Sequence, residues 1–209
     1  IAKKNKIIFF STPLDLESAN FLNKIQPIFK IASSDNNFNP LIDTVVKFNK
    51  PIIISTGLIN YREISNLYTK LKSKIKNFRP NHSISFLHCL SEYPIKHDNV
   101  NLNSIKFLKQ NFKDCIIGYS DHFIGNKIAA SSVLVGSRIV EKHFTLDNNF
   151  SGFRDHRLSA DPINMSKLVK EIRYLTKILG KEEKKPTTRE IENKINFRRS
   201  AIYKKDLDI

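Results

Sequence analysis

The residues best equipped for chemistry sit at the ends of short apolar runs. Lys30 interrupts the run PIFKIA, and Ser33, Ser34 and Asp35 follow it directly. A lysine inside an apolar strand is costly unless it meets an anion or loses its charge. Lys30 therefore reads as an anchor for phosphate or carboxylate, or as a Schiff-base lysine. The plainer alternative is an inward lysine paired with a nearby carboxylate. Ser55, Thr56 and Gly57 close the next run, PIIIS. Hydroxyls and a glycine turn ahead of a helix suit phosphate binding, although the same residues are ordinary turn chemistry. His122 ends GYSDH and His143 lies near the end of RIVEKHF. On adjacent strands ~4.8 Å apart, the two rings can reach one metal. Two imidazoles with carboxylate and water suit a first-row divalent ion such as manganese. Asp121 and Glu141 lie beside them as supporting or sugar-binding groups. His88, in SISFLHC, reads as a barrel-interior residue, with Tyr93 just beyond it. Cys89 has no activating base in its neighbourhood and reads as a small buried side chain. Asp155 and His156 fall in a loop after the last run, where substrate contact is expected.

Positioning these groups requires a repeated frame, and the chain has one. Six apolar runs recur, each ahead of a polar cluster: IIFF, PIFKIA, PIIIS, SISFLHC, CIIGY and RIVEKHF. Their length and Ile, Val and Phe content suit buried parallel strands. The stretches between them have helical spacing, as with Ile64, Leu67 and Leu71, or Ile105 and Leu108. Asp15 and Asp161 are candidate caps; Pro162 suits a first turn and Gly180 a terminator. Strands alternating with helices predict a parallel sheet with right-handed crossovers. Reactive residues after every strand, and no glycine-rich dinucleotide loop, favour a (β/α)8 barrel over an open doubly wound sheet. A whole barrel needs eight strands and about 250 residues, so about six of eight βα units are expected here, with two N-terminal units missing. The polar stretch from Lys181 to Asn196 reads as a linker, and FRRSAIYKKDLDI begins a new apolar pattern.

Composition narrows the classes. The 209 residues are 40% hydrophobic and 26% charged, as in a globular domain with a real core. No apolar run approaches the ~18 residues of a membrane span, and no secretory signal opens the chain. Cys89 and Cys115 form neither a metal spacing nor a disulfide framework, so a reducing cytoplasm is expected. The net charge of +15 raises nucleic-acid binding, but no basic stripe interleaved with aromatics supports it.

Seven segments, FFSTPLD, FKIASSDNNFNPLI, KPIIISTG, LHCLSEYP, IGYSDH, EKHFTLD and RDHRLSADP, occur in the order found in the N-acetylneuraminate (sialic acid) synthase family. That family includes the legionaminic and pseudaminic acid synthases, and the chain resembles it over residues 3 to 180 and again at FRRSAIYKKD. The resemblance implies a (β/α)8 barrel followed by a small antifreeze-like domain, truncated here, in a domain-swapped homodimer. It implies condensation of phosphoenolpyruvate with an N-acetylated mannosamine-type sugar and release of phosphate. Carried over by position, it makes Lys30, Ser33, Ser55, Tyr93 and Ser120 contacts to phosphoenolpyruvate. His122 and His143 become the manganese ligands, and Asp35, Glu141 and Asp155 sugar or acid–base groups. This chain departs from the family pattern at Leu14, at Ser91 and in the longer loop SGFRDH. The family's first two strands supply a glutamate and a lysine that are not in this sequence, so the 209 residues alone are expected to be inactive or poorly folded. The rival readings are a Schiff-base pyruvate aldolase acting through Lys30 and a non-catalytic basic binding module.

Overall fold

The computed structural model describes residues 1–152 and 155–201. Five parallel strands alternate with helices: β1 (Phe29–Ile31), β2 (Ile52–Ser55), β3 (Ile84–Cys89), β4 (Ile116–Asp121) and β5 (Val140–Lys142). They pair in chain order, β1-β2-β3-β4-β5, and form a curled half-barrel. The helices are α1 (Leu16–Leu22), α2 (Asn39–Lys47), α3 (Tyr61–Lys74), α4 (Asn103–Asn111), α5 (Lys127–Ser131), α6 (Pro162–Leu179) and α7 (Thr188–Phe197). The chain divides into two compact units, one from Ile1 to Leu179 and one beginning at Gly180.

Local chemistry sets the helix ends. Asp15 accepts from the Ser18 amide and Asn60 from the Glu63 amide, each in a reciprocal capping box. The small-residue stretch after Asn126 starts as α5, tightens into a 3-10 turn over Ser132–Val135, and ends at Gly136, whose φ of 105° favours glycine. Among the described residues, no helix is long and apolar enough to cross a membrane.

Side chains alternate across the strands, and the two faces differ in chemistry. Phe29 and Ile31, Ile52 and Ile54, Ile84 and Phe86, and Ile117 and Tyr119 point to the helices. There they pack with Leu41, Val45, Leu67, Leu71 and Ile105 in the main core. A second cluster of Ala129, Ala130 and Leu168 joins α5 to α6, with Val140 of β5 against it. The opposite, concave face carries Lys30, Ser55 and Ser120 toward the strands' C-terminal ends.

One sequence expectation is corrected and one is added to. IIFF is not a strand: Ile7 and Ile8 are 66% and 69% exposed, and the segment pairs with none of β1–β5. A strand needs a hydrogen-bonded neighbour, and β1 pairs only with β2 among the described residues. Among the described residues, five strands are therefore present where six were expected. The stretch read as a linker holds a helix, α7, because Thr187 and Glu190 form a capping box at its start. The remainder of FRRSAIYKKDLDI, from residue 202 onward, lies outside the described residues.

Gly118 lets β4 pass close to its neighbours. A Cβ there would stand 2.5 Å from Leu87 Cδ2 and 2.6 Å from the Ile139 carbonyl oxygen. Gly118→Ala is expected to destabilise the fold by about 1–3 kcal/mol through overpacking. Gly152→Ala, with no atom within 4 Å of the added carbon, is expected to stay within about 0.5 kcal/mol. Urea denaturation of both variants checks this.

Candidate active site

A cavity of about 610 Å³ opens at the C-terminal ends of the strands. It is lined by Lys30, Ser33, Ser55, Tyr93, Ser120, His122, Glu141 and His143, which the sequence had singled out. Thr12, Ser34, Leu58, Cys89 and Ser91 complete most of the wall. Thr12 shows that the segment after IIFF reaches the site as a loop rather than from a strand end.

Lys30 is 6% exposed, and its Nζ donates to Ser55 Oγ at 2.8 Å. The same nitrogen lies 3.4 Å from Glu141 Oε2, while Ser120 Oγ donates to Glu141 Oε1 at 2.6 Å. One carboxylate is thus shared by an ammonium and a hydroxyl. Lys30 is on β1 and Glu141 on β5, four strand spacings apart, or ~19 Å across a flat sheet. Their contact requires the curl. Around the end of β2, Asn36 Nδ2 donates to the carbonyls of Ser55 and Gly57 at 3.2 and 2.9 Å, and the Gly57 amide donates to Ser33 Oγ at 3.2 Å. A Cβ on Gly57 would meet the Ser33 and Ser91 hydroxyls at 2.7 Å, so glycine keeps this corner open.

The histidines sit at the ends of adjacent strands, with ring centroids 5.1 Å apart. His122 Nδ1 donates to the Leu90 carbonyl at 2.7 Å, which leaves Nε2 with a free lone pair. Burial holds the His122 imidazole below its ordinary pKa, and the neighbouring His143 adds to this; the hydrogen bond to Leu90 opposes it. Tyr93 packs on His122, centroids 4.0 Å apart. Burial, with Cys89, Asp155 and Glu141 nearby, pushes its phenol up to about 12. His143 Nδ1 lies 3.6 Å from Asp155 Oδ2, both side chains being partly exposed. Among the described residues, no group of three or more His, Cys, Asp or Glu side chains could by itself hold a metal. The two imidazoles fit a divalent ion only as a pair of nitrogen donors, with water or substrate oxygens filling the rest of its sphere.

Two predicted site residues do not line the cavity. Asp35 lies in a 3-10 turn after β1 and accepts from Ser34 Oγ at 2.9 Å. Asp155 stands behind His143, with its carboxylate 3.6 Å from His143 Nδ1. Of the loop SGFRDH, residues 153 and 154 lie outside the described residues. His88 is not on the concave face: it shares its side of β3 with Phe86, donates Nε2 to the Val100 carbonyl at 2.9 Å and is 7% exposed.

One pair escaped the sequence reading. Lys142 Nζ meets Asp121 Oδ2 at 2.8 Å, with side chains 2% and 0% exposed. The signal was present, since SDH and EKH align in register. Ser120 stands opposite Glu141 and Asp121 opposite Lys142, and a histidine follows on each strand.

The profile of the NeuB family matches residues 1–184, and the chain belongs to that family. It is 41% identical over 207 residues to the N,N'-diacetyllegionaminic acid synthase of Campylobacter jejuni, covering 99% of this chain and 60% of that protein. It is 32% identical over 184 residues to the human N-acetylneuraminate-9-phosphate synthase, covering 88% of this chain and 49% of that protein. The crystal structure of the N-acetylneuraminic acid synthetase of Leptospira borgpetersenii superposes with a TM-score of 0.85 at 34% identity, over 95% of this chain and 68% of that one. The chain spans only about half to three-fifths of the length of the curated relatives it matches.

Burial also holds His88 below its ordinary value of 6.5. The folded state then binds fewer protons than the unfolded chain as pH falls through 6.5, so stability is present above that value and declines below it. His88→Gln, which can still donate to Val100 but cannot become charged, is expected to reduce the fall in unfolding free energy between pH 7 and pH 5. An unchanged slope in urea denaturation series would show that His88 does not contribute.

Proposed function

We propose that the protein of which this chain is part condenses phosphoenolpyruvate with an N-acetylated mannosamine-type sugar to make a nonulosonic, sialic-type acid. The observation that carries this reading is the convergence of Lys30, Ser55, Ser120 and Glu141 beside two histidines in one concave cavity. Membership of the NeuB family supports the reaction class. In this reading residues 1–180 are part of a (β/α)8 catalytic barrel. The chain from 181 onward leads into an antifreeze-like domain, and the whole protein works in the cytoplasm as a domain-swapped homodimer.

In the proposed reaction, the methylene carbon of phosphoenolpyruvate forms a bond to the aldehyde carbon of the open-chain sugar as the aldehyde π bond opens and its oxygen takes up a proton to become a hydroxyl. Water adds to the cationic carbon left behind, and the C–O bond to phosphate breaks, releasing inorganic phosphate. Lys30, with the Ser33, Ser55 and Ser120 hydroxyls, binds the phosphate and carboxylate of phosphoenolpyruvate. Tyr93 stacks beside His122 and closes that wall of the site. Glu141, already bridging Lys30 and Ser120, takes up a proton from the attacking water, while Asp35 and Asp155, which lie beyond the cavity wall, are assigned to the part of the sugar that extends past it. An anionic substrate competes with Glu141 for the Lys30 ammonium, which couples substrate binding to release of that carboxylate. His122 and His143 would hold a divalent ion, with manganese suited to two imidazoles and oxygen donors, and the bound ion would polarise the aldehyde as a Lewis acid.

The test is phosphate release by the complete protein, supplied with phosphoenolpyruvate, manganese and a panel of N-acetylated hexosamines. Release is expected with one sugar and is expected to stop on chelation. Lys30→Met is expected to lower kcat/KM about 10- to 200-fold, the loss of a charge-assisted hydrogen bond worth about 1.5–3 kcal/mol. No release with any sugar from folded, manganese-loaded protein would overturn the reading. Borohydride trapping of a pyruvate imine on Lys30 would replace it with a Schiff-base aldolase.

A further inference from the structure

The buried Asp121–Lys142 pair does not line up with any task in the reaction above. Strand alternation sets it on the other side from Ser120 and Glu141, although Lys142 also forms part of the cavity wall. An ion pair with side chains 0% and 2% exposed is weak evidence of stabilisation, because removing two charges from water costs about as much as their attraction returns. Its hydrogen bonds indicate another purpose. Asp121 Oδ1 accepts from the Phe123 amide at 3.1 Å, and Lys142 Nζ donates to the Phe123 carbonyl as well as to Asp121 Oδ2. Both polar groups of the Phe123 backbone are thereby tied to the pair. His122 is the residue between Asp121 and Phe123, and His143 directly follows Lys142.

We propose that Asp121 and Lys142 are positioning residues that clamp the backbone at His122 and fix its strand against β5, so that the two imidazoles face each other with His122 in one tautomer. The rest of the local geometry completes the clamp. The His122 carbonyl accepts from the Ile95 amide at 3.2 Å, its Nδ1 is tied to Leu90, and the His143 carbonyl accepts from the Ala160 amide at 2.7 Å. With the backbone held at these points, the hydrogen bond to Leu90 selects the Nδ1–H form and presents the Nε2 lone pair to the cavity. Loss of the clamp lets the ring leave the Leu90 carbonyl, and the tautomers then mix. The clamp itself stands on these contacts. Its use for metal binding rests on the proposed function.

The test uses the complete protein, selectively 15N-labelled at histidine and free of metal, at a pH where His122 is neutral. The parent is expected to show one His122 signal pair with Nδ1 protonated and Nε2 bare. The apolar double variant Asp121→Leu with Lys142→Met removes both charges together, so no buried charge is left unpaired. It is expected to melt cooperatively, as the parent does, but to show averaged His122 nitrogen shifts. The neutral amide variant Asp121→Asn with Lys142→Gln can still bridge Phe123 and is expected to keep the single tautomer. A folded apolar variant with unchanged His122 shifts would overturn the proposal. If the apolar variant does not fold, the amide variant decides: averaged shifts in a cooperatively melting amide variant would also overturn it, and a retained single tautomer supports it. A manganese titration, followed by the electron paramagnetic resonance of the free ion, separates this from the functional reading. A roughly tenfold or greater loss of affinity is expected in the apolar variant, the scale of lost outer-shell support. A parent that binds no manganese would count against the metal assignment alone, leaving the tautomer result to judge the clamp.

Discussion

The contact between Lys30 and Glu141 sets the terms for the rest of the molecule. It joins the first and last strands of a five-stranded sheet, and it exists only because the sheet curls until its edges face one another. Curl in a parallel sheet follows from right-handed twist and from helices packed on one side. The Ile and Phe side chains that pack against α2, α3 and α4 are therefore also what brings an ammonium on β1 to a carboxylate on β5. Core and cavity are opposite faces of one alternation. Along each strand alternate positions serve the core and the concave face, and neither set can shift by one residue without exchanging places with the other.

The electrostatics of the cavity follow from that division. Lys30 is surrounded by buried hydroxyls and a single half-exposed carboxylate, so its charge is only partly compensated and remains available to an anion. Glu141 is the more accessible partner. The pair contributes little to stability on its own account, since one member is substantially solvated. Its importance is that the cavity is already polarised toward negative ligands before one arrives. A second region lies beside it, where Tyr93 packs on His122 and burial holds that imidazole below its ordinary pKa.

Much of this was legible in the sequence, for physical reasons that also explain the errors. Buried parallel strands are continuous Ile, Val and Phe runs, and β1 to β5 could be read as such. The run IIFF has the same composition, but hydrophobicity does not supply a hydrogen-bonding neighbour, and Ile7 to Phe10 remain exposed loop. Strand-end residues such as Ser55 and His122 could be brought together because parallel strands present their C-terminal ends on one side, and Ser120 joined them through the family resemblance. His88 was misread for want of the same count: it is two residues after Phe86 and must share its side. Lys142 was passed over because its burial depends on Asp121, a residue distant in sequence and adjacent only in register. Asp35 follows Ser33 and Ser34 closely, yet the 3-10 turn rotates it out of the cavity, and turn geometry was not written in the residue types.

The strands pair strictly in the order in which they occur along the chain. Each wall of the cavity is thus added next to the one before it, with no strand waiting for a distant partner to be inserted between. Such a topology can grow progressively as a polypeptide emerges, one βα layer upon the last, and the loop-closure entropy of each addition stays small. The ammonium appears with the first strand and its carboxylate with the fifth. Among the described strands, the polarity those two groups share is therefore set only once β5 has been added to the other four.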